Sequence, residues 1–202
     1  MSTEQSKPSP GRPKTLDRAR ALDTAIRSYW TDGIDGVSMN EICRRAEVSK
    51  PGLYREFGNE DGLMKAALIR YFDSAYAPIH QILAADAPFR KTLDTFITFA
   101  SADRVDQGIP NGCLFVQMYN ARARTGVATR DQLDCLQKQV LSAYEGWLER
   151  SKAKGEFSKL IPTQFAAVYI DAQFCSAMSQ QARSEKAETI RDVLKLVFSV
   201  FE

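Results

Sequence analysis

"SMNEICRRAEVSKPGLYREFG", residues 38 to 58, decides how this chain is read. Ser38 and Glu41 form an S-x-x-E capping box, which starts a helix. Ile42, Cys43 and Ala46 fall on one face of that helix, and Glu47-Val48 make a turn. Ser49 then caps another short helix. Pro51 is tolerated in it because first-turn N–H groups lack intrahelical partners anyway. Gly58 ends it after about two turns. At about 100° per residue, Leu53 and Phe57 set the buried direction. Arg55 and Pro51 then point nearly opposite, with Tyr54 and Gly52 beside them.

That outward face suits a DNA major groove. An arginine can pair with a guanine edge through two hydrogen bonds. Gly52 lets a backbone come close, and the Pro51 ring can touch a thymine methyl. Tyr54 and Lys50 can reach phosphates. Arg44 and Arg45, ending the preceding helix, would cross the DNA backbone. With Ser38 and Ser49 at the two helix starts, these residues are the candidate DNA contacts. Two short helices joined by a tight turn make a helix-turn-helix. A three-helix cap with arginines on its surface fits the same spacing.

Upstream, Leu22, Ala25, Ile26, Tyr29 and Trp30 share one face of a helix over about 15 to 32, stopped by Gly33. Residues 1 to 14 read as a flexible basic arm. Its GRPK resembles the core of an AT-hook, whose Arg12, with Lys14, could enter a narrow minor groove. A plain solubilising tail is the alternative. Downstream, Asn59 caps a long helix with an apolar stripe from Leu63 to Tyr76, and Pro78 is expected to kink it. Further helices are predicted at about 87–102, 113–123, 128–152, 162–182 and 185–201, with a Gly/Pro-rich loop over 103–112. The fold class is all-α, with about nine helices. A DNA-binding unit over 15–60 is followed by a second helical unit over 61–202.

The 202 residues carry a net charge of +2, so the placement of basic groups matters more than their number. No apolar run reaches the length of a membrane helix, and the first residues lack the apolar core of a signal peptide. A cytoplasmic protein without membrane contact is expected. Cys43, Cys113, Cys135 and Cys175 are widely spaced, and His80 is the one histidine. Neither a zinc site nor another metal or cofactor is expected. No Ser/His/Asp set, HExxH or phosphate loop is present, which argues against an enzyme.

The stretch from Thr15 to Leu68 resembles the DNA-binding domain of the TetR family of bacterial repressors. The resemblance rests on Ala25 and Trp30, the Gly33 to Gly36 turn, "VSMNEICRRAEVSKPGLYREF" and Leu63, about 50 residues in all. "NGCLF" at 111–115 is similar to a segment in a subset of the family. Three positions depart from the common pattern. Gly52 stands where threonine is frequent, Glu56 where a phosphate-touching tyrosine or histidine is frequent, and Glu60 where lysine is frequent.

The resemblance implies dimerisation and ligand sensing for the remaining two-thirds. The last helix is apolar around most of its circumference, and the one before it offers Ala166, Ala167, Ala172, Ser176 and Ala177. Two such helices from each chain would make a four-helix homodimer interface. Packing within one chain is the alternative. Phe96, Phe99, Cys113, Phe115, Met118, Tyr119, Tyr144, Trp147 and Phe174 are the candidates to line a pocket for a small-molecule inducer of unknown identity. Ordinary core packing also explains such residues. Cys113, after Asn-Gly at a predicted helix start, could be a reactive thiol that senses electrophiles or oxidants, or a buried structural cysteine. The expected mechanism is a dimer on a palindromic operator, released when an inducer shifts the long helix about Pro78. A non-specific DNA-binding protein is the remaining alternative.

Overall fold

The helix signals of the sequence are realised one after another in the computed structural model, which describes residues 16–103 and 105–201. Arg12 and Lys14 lie outside them. Among the described residues there are nine α-helices, three short 3-10 turns and no strand.

α1 (Arg18–Asp32) starts where the Asp17 carboxylate accepts from the Arg20 amide at 3.1 Å. α2 (Met39–Ala46) starts at Ser38, whose hydroxyl accepts from the Glu41 amide at 3.2 Å. Only this half of the capping box forms, because the Glu41 carboxylate turns to Arg44 and Arg45 instead. α2 ends with Glu47 in the left-handed region at φ 56°. The Val48 amide bonds back to the Cys43 carbonyl and the Glu47 amide to that of Arg44, a double closure that makes the turn tight. α3 (Lys50–Phe57) begins with Ser49 accepting from the Gly52 amide at 3.2 Å.

α4 (Glu60–Ala84) is capped by Asn59, and its first turn lies close beneath the end of α3. A Cβ at Gly62 would stand 1.9 Å from the Phe57 carbonyl oxygen, so only glycine permits this approach. The helix runs on through Pro78.

The chain continues through α5 (Phe89–Ser101), α6 (Leu114–Asn120), α7 (Val127–Ala153), α8 (Thr163–Ala182) and α9 (Ala187–Phe198). One buried apolar cluster extends from Ala21 in α1 to Phe198 in α9. α4 is its spine. One end packs on α1 and α3, and the rest on α5, α6 and α7. Its Leu63 and Leu68 are fully buried, each worth about 2 kcal/mol in apolar transfer.

A polar joint adds to this packing. The Asp61 carboxylate, in the first turn of α4, accepts from the Ala128 and Thr129 amides at 2.8 and 3.0 Å and from the Thr129 hydroxyl at 2.5 Å. It thereby caps α7, which has no cap of its own. Burial would raise the Asp61 carboxyl, but the bonds from Thr129 and Ala128 outweigh it and hold it below its ordinary range.

Candidate nucleic-acid interface

α3 turns Leu53 into the core and leaves Lys50, Pro51, Tyr54 and Arg55 exposed on its outer side. Arg55 has no ion pair or hydrogen bond among the described residues. The Lys50 ammonium lies 5.8 Å from the centre of the Tyr54 ring. Two acidic groups could spoil this face for a polyanion, and both are neutralised from α1. Arg18 pairs with Glu56 at 2.9 Å and Arg20 with Glu47 at 2.9 Å. The uncompensated charges on the outer side of α3 are therefore positive. Ser38 and Ser49 are exposed at their helix starts, where each hydroxyl accepts one amide and keeps its own proton to donate.

Two of the expected contacts are placed differently. Gly52 is buried, not on the outer face. A Cβ there would lie 2.9 Å from the Ser49 hydroxyl, so the missing side chain serves the cap rather than an approaching backbone. Arg45 fastens α2 to α1. It bonds Asp32 at 2.5 Å, Glu41 at 2.7 Å and the Ser28 hydroxyl at 3.1 Å. Its Nε and Nη1 donors are committed within the protein. Arg44 grips Glu41 through two bonds but stays largely exposed and can swing outward.

Behind this unit, a cleft of about 1100 Å³ opens along α1 and α4 and reaches α8. Trp30, Arg70, Phe99 and Met178 are among its walls. An inner chamber of about 40 Å³ lies beside it, and Tyr71, Ala75, Ile79, Cys113 and Phe174 line both. Of the predicted pocket residues, Cys113, Phe115, Tyr144 and Phe174 reach the chamber and Phe99 the cleft. Phe96, Met118, Tyr119 and Trp147 line neither. Phe96 is wedged among Tyr144, Phe174 and Phe198, and Trp147 stacks on Phe89 at 4.9 Å. Met118 is wholly buried and Tyr119 leans on Phe115.

Sequence reasoning missed Tyr76, Asp171 and Cys175 at this cavity. Asp171 had a visible signal, being the single charge in the twenty residues of α8. Gln137 donates to its carboxylate at 2.7 Å, and burial raises the Asp171 carboxyl above its ordinary range.

Cys113 is not a pre-activated thiolate. Its residue is half-buried but its sulfur is enclosed, and burial pushes the thiol up. The Tyr71 hydroxyl, 3.3 Å away, and nearby amides only partly oppose this. Cys175 is pushed up to about 12 by burial, then by Asp171 and Cys113. "NGCLF" serves as a clip instead. The Trp30 ring N–H donates to the Asn111 carbonyl at 3.2 Å, and the Leu114 amide donates to the Tyr71 hydroxyl at 3.2 Å.

On the far side of the molecule, α8 and α9 expose an apolar face. Phe165 and Val168 on α8 point outward, as do Val193 and Leu196 on α9 and Val200 in the 3-10 turn after it, with Phe165 72% and Leu196 73% exposed. Ala172 and Ser176 continue the outward row on α8, whereas Ala166, Ala167 and Ala177 are buried within the chain. No described helix is long and apolar enough to cross a membrane.

Comparison with known proteins agrees with this architecture. The sequence pattern of "Bacterial regulatory proteins, tetR family" matches residues 21–67. The chain is 32% identical over 117 residues to the HTH-type transcriptional repressor ComR of Escherichia coli K12, covering 57% of this chain and 55% of that protein. It is 27% identical over 117 residues to the repressor BdcR of the same organism, covering 58% and 59%. The matches thus span little more than half the length of these two relatives. Among solved structures, a cysteine-substituted form of the TetR family regulator CifR, bound to a 26-base-pair operator duplex, superposes with a TM-score of 0.82. That match has 22% identity and covers 95% of this chain and 100% of that one. Reduced NemR of E. coli superposes at 0.77 with 18% identity, covering 92% and 97%. At such identities the structural likeness is one of fold. Joined to the helix-turn-helix in residues 38–58, it supports one conclusion: residues 21–67 match the DNA-binding region of the tetR family of bacterial regulatory proteins, and the described chain has the fold of TetR family regulators.

Proposed function

We propose that this protein is a ligand-responsive transcriptional regulator, a homodimer in the cytoplasm that binds a palindromic operator as a repressor and leaves it when a small molecule occupies the C-terminal cavity. The observation that carries the reading is the outer side of α3, where Lys50, Pro51, Tyr54 and Arg55 are exposed while the neighbouring acids are paired away. Arg55 is positioned to read a guanine, and Lys50, Tyr54 and Arg44 to hold phosphates. Arg12 and Lys14 of the arm reach an adjoining minor groove. ComR and BdcR are named as repressors and CifR was solved on operator DNA, which favours the same role here.

Residues 15–60 act as the DNA-binding unit and 61–202 as the sensing and dimerisation unit. The exposed face of α8 and α9 meets its copy in a partner chain, which places two recognition helices on one duplex. The cavity lies against α4, and α4 carries Gly62 and Asp61 beneath α3. A ligand that displaces α4 therefore displaces α3. It need only bind the released conformation better than the DNA-bound one.

Fluorescence anisotropy with duplex fragments from the DNA flanking the protein's own gene tests the reading. At least one fragment should stay bound in excess non-specific competitor at near-physiological salt. If competitor strips every fragment equally, the protein is a non-specific DNA binder and the proposal fails.

A further inference from the structure

The inner chamber has a chemistry of its own. Asp171 lines it, and among the described residues its one hydrogen bond comes from the neutral side chain of Gln137 at 2.7 Å. Among the described residues no basic side chain pairs with it. Asp171 is partly buried, and a partly buried carboxylate without a counter-charge carries a desolvation cost that a ligand supplying the charge recovers. Tyr76 and Tyr144 line the same chamber, and their hydroxyls are buried without a hydrogen-bond partner among the described residues. Each can accept a hydrogen bond from a donor placed between them and Asp171. Phe115 and Phe174 complete an aromatic wall that attracts a cation.

The adjoining cleft has the same bias. Its Arg70 is held by Asp23 at 2.7 and 3.0 Å, and its Arg18 by Glu56. Asp73 in its wall has no ion-pair partner among the described residues. Among the described residues an anion entering this space meets no free cation, whereas a cation meets Asp171 and Asp73, neither in an ion pair. The sizes agree as well. The chamber, at about 40 Å³, suits an ammonium head, and the cleft, at about 1100 Å³, suits an apolar body.

Resting on the reading of this cavity as the inducer site, we propose that the inducer is a lipophilic amine bound as its monocation. Its ammonium group lies between Asp171, Tyr76 and Tyr144, and its apolar part extends past Tyr71 and Cys113 into the cleft.

Isothermal titration of the full chain with n-hexylammonium chloride, 1-hexanol and sodium hexanoate tests this. The ammonium compound should bind at least about tenfold more tightly than the alcohol, with the carboxylate weakest. Asp171→Asn should weaken the ammonium compound at least about tenfold and bring it level with the alcohol. If that variant fails to fold, Tyr144→Phe decides, with a loss of about threefold or more expected for the ammonium compound. Equal or tighter binding of the alcohol or the carboxylate overturns the proposal, as does an ammonium affinity that neither variant changes. Binding by none of the three also overturns it. Operator release, followed with the same compounds, separates the two levels. Release by the alcohol or carboxylate but not the amine leaves the inducer cavity standing and removes the cation. If no ligand of any charge binds the cavity or releases DNA, both fall.

Discussion

Glu41 shows how the helix-turn-helix is held at the scale of single residues. Its carboxylate takes hydrogen bonds first from Arg44 and then from Arg45, and these bring it down to about 2 from the ordinary 4.5. A carboxyl depressed in the folded state stabilises the fold above its unfolded value and loses that contribution as pH falls through the folded one. The melting temperature should therefore drop between pH 4.5 and about 2, and Glu41→Gln should flatten part of that drop. Equal slopes for the two proteins would remove Glu41 from the account. The same residue explains a limit of the sequence. "SMNE" announced a reciprocal capping box, but Arg44 and Arg45 are stronger partners for a carboxylate than an amide one turn back. Arg55 offers the opposite test, since it is committed to nothing among the described residues. Arg55→Ala should cost operator binding about 1–3 kcal/mol and relax preference at one base position. Lys50→Ala should weaken all sequences alike and lower the salt slope by about 1. Anisotropy titrations at several salt concentrations distinguish these two outcomes.

At the scale of elements, the helices with their own signals were legible and those capped from afar were not. Ser38, Ser49, Gly58 and Asn59 fix the ends of α2, α3 and the start of α4, and these fall where the sequence placed them. α5 starts at Phe89 rather than near 87, because the Glu156 carboxylate accepts the Phe89 amide at 2.8 Å from 67 positions away. The start of α7 likewise depends on Asp61. Aromatic composition pointed to a cavity, but composition cannot say which rings face space and which interlock. Phe96 and Trp147 are core for that reason. The joint between α4 and α7 yields a prediction. Asp61→Ala leaves two amides of α7 uncapped and should lower unfolding free energy by about 1–2 kcal/mol in urea. No change would mean that water serves the cap equally well. Gly62→Ala must push α3 away from α4, with a loss of about 1–3 kcal/mol and weaker operator binding.

For the whole molecule, the face of α8 and α9 and the outer side of α3 belong to one design. An exposed apolar row that includes Phe165, Val168, Leu196 and Val200 is large for a surface in water, and pairing it with its own copy hides it. On the proposed dimer, the unaltered protein should sediment at twice the 22.6 kDa of one chain and Leu196→Glu as a single chain. It should also lose most of its operator affinity, because one recognition helix reads only half a site. A variant that stays dimeric would place the interface elsewhere. The central claim is that two copies of α3, held by this interface, read the two halves of one operator. The most direct measurement is selection of duplexes by the full-length protein from a random library at near-physiological salt, followed by sequencing. The account predicts an enriched inverted repeat, with half-sites about one helical turn apart or a multiple of it. A single unrepeated motif, or no enrichment at all, would contradict it.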